Sequence, residues 1–118
     1  TKTSDEQLRA RVAAALSIMG AQPVQTLVGA MPSASDEMKL WIAATLGAIG
    51  KPATDPVLEA RGTAHDQRLK QWFATTLECI GDAQAIDLIR QLAEEDQPVK
   101  EDVVAAQAIQ TKILASRR

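Results

Sequence analysis

Residues 38–50 read MKLWIAATLGAIG, and the same pattern stands on either side of them, as LRARVAAALSIMG at 8–20 and LKQWFATTLECIG at 69–81. The closing glycines, Gly20, Gly50 and Gly81, are 30 and 31 residues apart, and Leu16, Leu46 and Leu77 keep the same spacing. Other columns run with them: Leu8, Met38, Leu69; Val12, Ile42, Phe73; Ala13, Ala43, Ala74; Met19, Ile49, Ile80; and a basic column of Arg9, Lys39 and Lys70. Self-similarity at a fixed period of this length marks an array of stacked structural units.

Each unit reads as two helices. Counted from the column leucine, the apolar positions fall at −8, −4, −3, 0 and +3, one face at a period of 3.6. The glycine that follows takes a left-handed conformation without a Cβ penalty and stops the helix. Pro23 and Pro52 then suit the first turn of a second helix. Its apolar face is carried by Val24, Leu27, Val28 and Met31, by Val57 and Leu58, and by Ala85, Leu88, Ile89 and Leu92. Ser4 with Gln7 reads as a capping box, and Ser35, His65 or Asp66, Asp82 and Asp96 stand where N-caps are wanted. The spacing predicts helices near 4–19, 23–31, 35–49, 53–61, 65–80, 82–94 and 97–115, with no strand. Residues 96–118 form a partial fourth unit, with Val104, Ala105 and Ala108 in the Val12, Ala13 and leucine columns. Glu101 breaks the basic column there. One terminal helix is expected to cover the open end of the stack.

Composition agrees and excludes other classes. Of 118 residues, 21 are alanine and only Trp41, Trp72 and Phe73 are aromatic, a helix-rich mixture. One cysteine makes no internal disulfide. No apolar run approaches the roughly 20 residues of a membrane span, and no signal pattern opens the chain, which favours the cytoplasm. A net charge of −2 argues against nucleic acid as the main partner.

The pattern (V/L)R-x-x-AA-x-(A/T)LG-x-IGD-x-x-A resembles the short HEAT-like repeat of the phycobilisome-lyase type, best at LGAIG (46–50) and CIGDAQAIDLI (79–89). The aspartate after the glycine is present only as Asp82, with Ala21 and Lys51 elsewhere. The resemblance implies an all-α, right-handed α-solenoid in one domain, 1–118. It would hold three HEAT-like hairpins (about 4–34, 35–64 and 65–95) and a C-terminal capping helix in 96–118. It also implies a non-catalytic scaffold that binds another protein or peptide. Two other roles found among HEAT-like proteins are an accessory subunit of a tetrapyrrole (bilin) lyase system and a nucleic-acid enzyme, the second disfavoured by the acidic balance.

No catalytic, cofactor or metal site is expected. His65 is the single histidine, so paired-histidine metal chemistry is excluded, and it sits where a solvated or capping residue belongs. Cys79 is level with Ile18 and Ala48, which suits a small buried hydrophobe, and Glu94, Glu95 and Asp96 suit a solvated junction. Two surfaces are candidates for a partner. The second helices present Thr26, Gly29, Pro56, Glu59, Asp87, Arg90 and Glu94 opposite their apolar stripe, a mildly acidic face that could receive a basic segment. Trp41 and Trp72 occupy the same −5 position in successive units. Either both indoles pack between repeats or they form an exposed ridge that anchors a partner or a homodimer.

Overall fold

A computed structural model describes residues 2–117, with side chains from residue 5 onward. Seven helices follow one another, α1 (Lys2–Ile18), α2 (Val24–Ala30), α3 (Asp36–Ile49), α4 (Thr54–Thr63), α5 (Gln67–Ile80), α6 (Ala83–Arg90) and α7 (Lys100–Ala115). Short 3₁₀ turns lie at Met31–Ser33, Lys51–Ala53 and Glu94–Asp96. Among the described residues there is no strand and no helix long and apolar enough to cross a membrane.

The local signals account for most boundaries. Gly20, Gly50 and Gly81 alone among the described residues have positive φ, at 68°, 85° and 77°, and each follows the end of a first helix. Ser35 Oγ accepts from the Met38 N–H at 3.1 Å, Asp66 from the Arg68 N–H at 2.9 Å and Asp82 from the Gln84 N–H at 3.0 Å. Each thereby satisfies a donor that the first turn leaves unpaired. Of the pair considered for α5, Asp66 is the cap and His65 is an exposed loop residue. Three expectations fail. α1 begins at Lys2, so Ser4 lies inside it rather than before it, and the side chain of Ser4 is outside the described residues. α6 ends at Arg90 instead of 94, because Gln97 Nε2 donates to the carbonyls of Ile89 and Leu92 and turns the chain there. Asp96 falls within a 3₁₀ turn, and the N-cap of α7 is Val99, whose side chain makes no capping bond.

Packing follows one rule in the middle of the stack: a first helix lies on the second helix of the unit before it. α3 packs on α2, α5 packs on α4, and α3 and α5 pack side by side. The main core joins Val24, Val28 and Met31 of α2 and its turn, Ile42 and Leu46 of α3, Val57 of α4, and Trp72, Phe73 and Leu77 of α5. Thr45, Thr75 and Thr76 are buried as well. Their hydroxyls donate to the carbonyls of Trp41, Gln71 and Trp72 four residues back, so none of the three is stranded, whereas the buried Trp72 Nε1 and Arg61 Nε have no partner.

The two outer first-type helices depart from the column pattern. α7 does not continue the stack beyond α5 and α6; it lies across α3 and α5 and reaches α1. Because of this, residues 41–48 of α3 are buried on every side. A second core forms on the other side of α3, where Trp41, Ala44 and Ala48 meet Ala10, Ala13 and Ala14 of α1 and Ile113 of α7. Gln110 Nε2 donates to the Cys79 carbonyl at 3.0 Å, Arg68 pairs with Asp102 at 2.8 Å and Lys112 with Glu6 at 2.9 Å, which fixes α7 over its neighbours. The Lys112 ammonium holds the Glu6 carboxyl below its usual range. The expected end-capping position of the last helix is therefore corrected, and its sequence explains why. Its column face reads Lys100, Val104, Ala105, Ala108 and Thr111, polar at both ends. That face turns outward, with Val104 exposed, while Ala106 and Ile113 face inward and are fully buried.

Candidate functional site

α1 is rotated in the same sense, with a different consequence. It buries Ala10, Ala13, Ala14 and Ser17 against α3 and α7, small residues that allow close approach. Its column residues are left in solvent: Leu8 is 60% exposed and Val12 52%, with Leu16 half-buried and Met19 exposed. In the Val12 and Leu16 columns the counterparts Ile42, Phe73, Leu46 and Leu77 are all buried, whereas Met38 in the Leu8 column is itself 41% exposed. Leu8, Val12 and Leu16 lie on the apolar face that the spacing marks, and they stay out of the core because nothing among the described residues does for α1 what α2 does for α3 and α4 for α5.

The result is an apolar groove of about 300 Å³ between α1 and α3. Leu8, Val12 and Leu16 form one wall, Met38, Trp41 and Ile42 the other, and Leu27 of α2 reaches into it. Arg9 is the one charged residue among those lining it. Its guanidinium turns to Glu37 at 2.7 Å, which ties α1 to the start of α3. The lining is almost wholly apolar. Small-molecule sites in this size range carry several converging polar groups that fix orientation, whereas here the Thr45 hydroxyl is engaged with the Trp41 carbonyl and the Arg9 guanidinium with Glu37. The groove's chemistry suits aliphatic side chains presented from a helix.

The residues singled out from the sequence fall in separate places. Trp41 and Trp72 are 7% and 1% exposed, so they pack between helices and form no ridge. Trp41 faces α1 and α7, with one edge at the groove; Trp72 lies in the main core with the Arg68 guanidinium 4.8 Å from its ring centroid. Glu59 on α4, Asp87 and Arg90 on α6 and Glu94 beyond it are all exposed, and the three ion pairs among the described residues use other side chains. The groove was not found from the sequence, since its walls are column residues that periodicity assigns to the core.

Cys79 is buried in the main core, and burial pushes its thiol up from an ordinary 9.0 to about 12, with Glu78 adding to the effect. At pH 8 such a thiol is ionised to roughly one part in 10⁴, so in the native protein a disulfide reagent is expected to react with it at least 100-fold more slowly than in the denatured chain. Stopped absorbance measurements with and without denaturant check this. The folded thiol ionises later than the unfolded one. Its contribution to stability is therefore whole below pH 9 and is lost as the pH rises from 9 toward 12.

Comparison with curated proteins and with solved structures finds no match for the chain. The family model for HEAT repeats matches residues 24–111, three quarters of the length, from the start of α2 into α7 and leaving α1 outside. The match is to HEAT repeats in general and does not single out the phycobilisome-lyase type. HEAT repeats as a family are generally protein-interaction scaffolds. A glycine-punctuated helical pair recurring through one stacked core, and a family model that spans α2 to α6 and most of α7, lead to the same place: the chain belongs to the HEAT-repeat family.

Proposed function

We propose that this protein is a non-catalytic interaction module whose groove between α1 and α3 receives an amphipathic helix of a protein partner. The observation that carries the reading is the contrast between the two outer helices. α7 turns outward a column face that is polar at both ends, whereas α1 leaves uncovered an apolar one, with Leu8, Val12 and Met19 exposed and Leu16 half-buried. Exposed apolar surface of this kind, rimmed by polar residues, is characteristic of an interaction site. The stacking rule supplies the partner's chemistry. Where α3 and α5 bury the same column, the covering element is a short helix with a stripe such as Val24, Leu27, Val28 and Met31.

A helix-stabilised, dye-labelled peptide carrying that stripe tests the reading directly. It is expected to bind with a dissociation constant in the range of about 1 μM to 1 mM, given the small area on offer. Val12→Glu is expected to weaken binding at least tenfold while leaving the melting temperature within about 3 °C, because its side chain is already half in water. Fluorescence anisotropy and circular dichroism give the two readouts. Equal binding to Val12→Glu and to the unchanged protein would overturn the assignment of the groove.

A further inference from the structure

We propose that the partner helix is α6 of a second copy of this chain, so that copies join head to tail through the same contact that α2 makes with α3 and α4 with α5. The inference rests on the groove reading above and adds an independent observation at the opposite end of the molecule. Among the described residues α6 is a second helix with no first helix packed beyond it, since α7 is drawn across α3 and α5. Its Leu88 is the counterpart of Val57, which is fully buried in the unit before, and yet Leu88 is 52% exposed. Leu92, one turn on, is half-buried, while Ala85 and Ile89 on the inner side are buried. The described residues thus present two uncovered halves of one repeating contact: a bare first-helix column on α1 and a bare second-helix edge on α6.

The two halves match in chemistry as well as in place. Leu88 and Leu92 offer two leucine side chains to a groove lined by Leu8, Val12, Leu16 and Met38. α7 is the competing occupant for α6 from within the chain. Its column face offers Val104, Ala105 and Ala108 between Lys100 and Thr111, whereas α1 offers Leu8, Val12 and Leu16. More apolar area is removed from water when α1 of another copy takes the position. A contact between two different patches does not close on itself, so it builds open chains of copies rather than a symmetric dimer.

The test is sedimentation of the intact protein and of two variants, each modified at one end. The unchanged protein is expected to show an average mass that rises with concentration, passing twice the monomer mass near about 1 mM with no plateau at two copies. Val12→Glu removes the groove and Leu88→Glu removes the edge, so each alone is expected to remain monomeric. Their equimolar mixture retains one intact groove and one intact edge, and it is expected to form a 1:1 dimer and stop there. Should either variant melt early, Leu8→Glu, also at an exposed position, replaces Val12→Glu, and Leu88→Lys replaces Leu88→Glu. A strictly monomeric unchanged protein, or a mixture that stays monomeric, would overturn the proposal. Association abolished by Val12→Glu but untouched by Leu88→Glu would overturn it too, since that pattern belongs to a groove-to-groove dimer. Peptide binding in the groove without self-association would sink this inference and leave the interaction reading standing.

Discussion

Ending the chain at Val99 is expected to abolish cooperative unfolding altogether, and Ile113→Ala to lower stability by about 2–5 kcal/mol. If α7 were a cover on the end of the stack, its loss would fray the last unit and leave the rest intact. Its observed position predicts a wider failure. Ile113 is fully buried among Ala10, Ala13 and Ala14 of α1 and Trp41, Ala44 and Ala48 of α3. Removing α7 uncovers a whole side of α3 and takes away part of the surface on which α1 rests. A domain of this size has only about 5–15 kcal/mol to lose. The informative comparison is within one helix. Val104, not Ile113, aligns with the core column of the repeats, yet Val104 is 60% exposed. Val104→Ala is therefore expected to change stability by less than about 0.5 kcal/mol. Urea titrations of both substitutions decide between the two placements of α7: equal losses at 104 and 113, or a larger one at 104, would sink the one described here.

How much of this could be read beforehand depends on what each residue touches. Helix type, the glycine stops and the caps at Ser35, Asp66 and Asp82 are set by neighbours a few positions away, so the local pattern contains them. The same holds for the burial of Leu46, Leu77, Ile42 and Phe73, whose covering helices lie within the adjoining unit. The faces of α1 and α7 are another matter. Their column residues align with those of α3 and α5, but a column is buried only where the preceding second helix covers it. That condition is tertiary. It fails at α1, which has no such helix among the described residues, and at α7, which crosses α3 and α5 instead of resting on α6. The groove is the direct product of that failure, so the candidate site escaped a reading that had placed its walls in the core. The tryptophans show the converse: their −5 position marked an edge of the stripe, and the close packing of α1 and α7 on α3 and of α7 on α5 turned that edge into interior.

Gly47 supplies the other large effect. By helix propensity alone, Gly47→Ala in the middle of α3 should stabilise the protein by about 1 kcal/mol. The opposite is expected, a net loss of about 1–3 kcal/mol or a fall in melting temperature of roughly 4–12 °C. A Cβ placed at position 47 would stand 2.6 Å from Cys79 Cβ and 3.0–3.1 Å from the Cys79 carbonyl carbon and oxygen. These are atoms fixed to the backbone of α5, so no flexible side-chain tip can swing aside, and α3 and α5 must separate along their shared face. The equivalent positions hold Ser17 and Glu78, so nothing in the repeat marks Gly47 as special; only the distance between the two helices does. The cause can be isolated by changing the other partner. Cys79→Ala keeps the offending Cβ and is expected to give no relief in combination with Gly47→Ala. Cys79→Gly removes it, and the double variant is expected to lose less than the sum of the two single losses. Thermal melts of the four proteins measure the coupling. A melting temperature that rises on Gly47→Ala would mean that α3 and α5 lie farther apart than this packing requires, and the burial of Trp72, Leu77 and Cys79 between them would have to be redrawn.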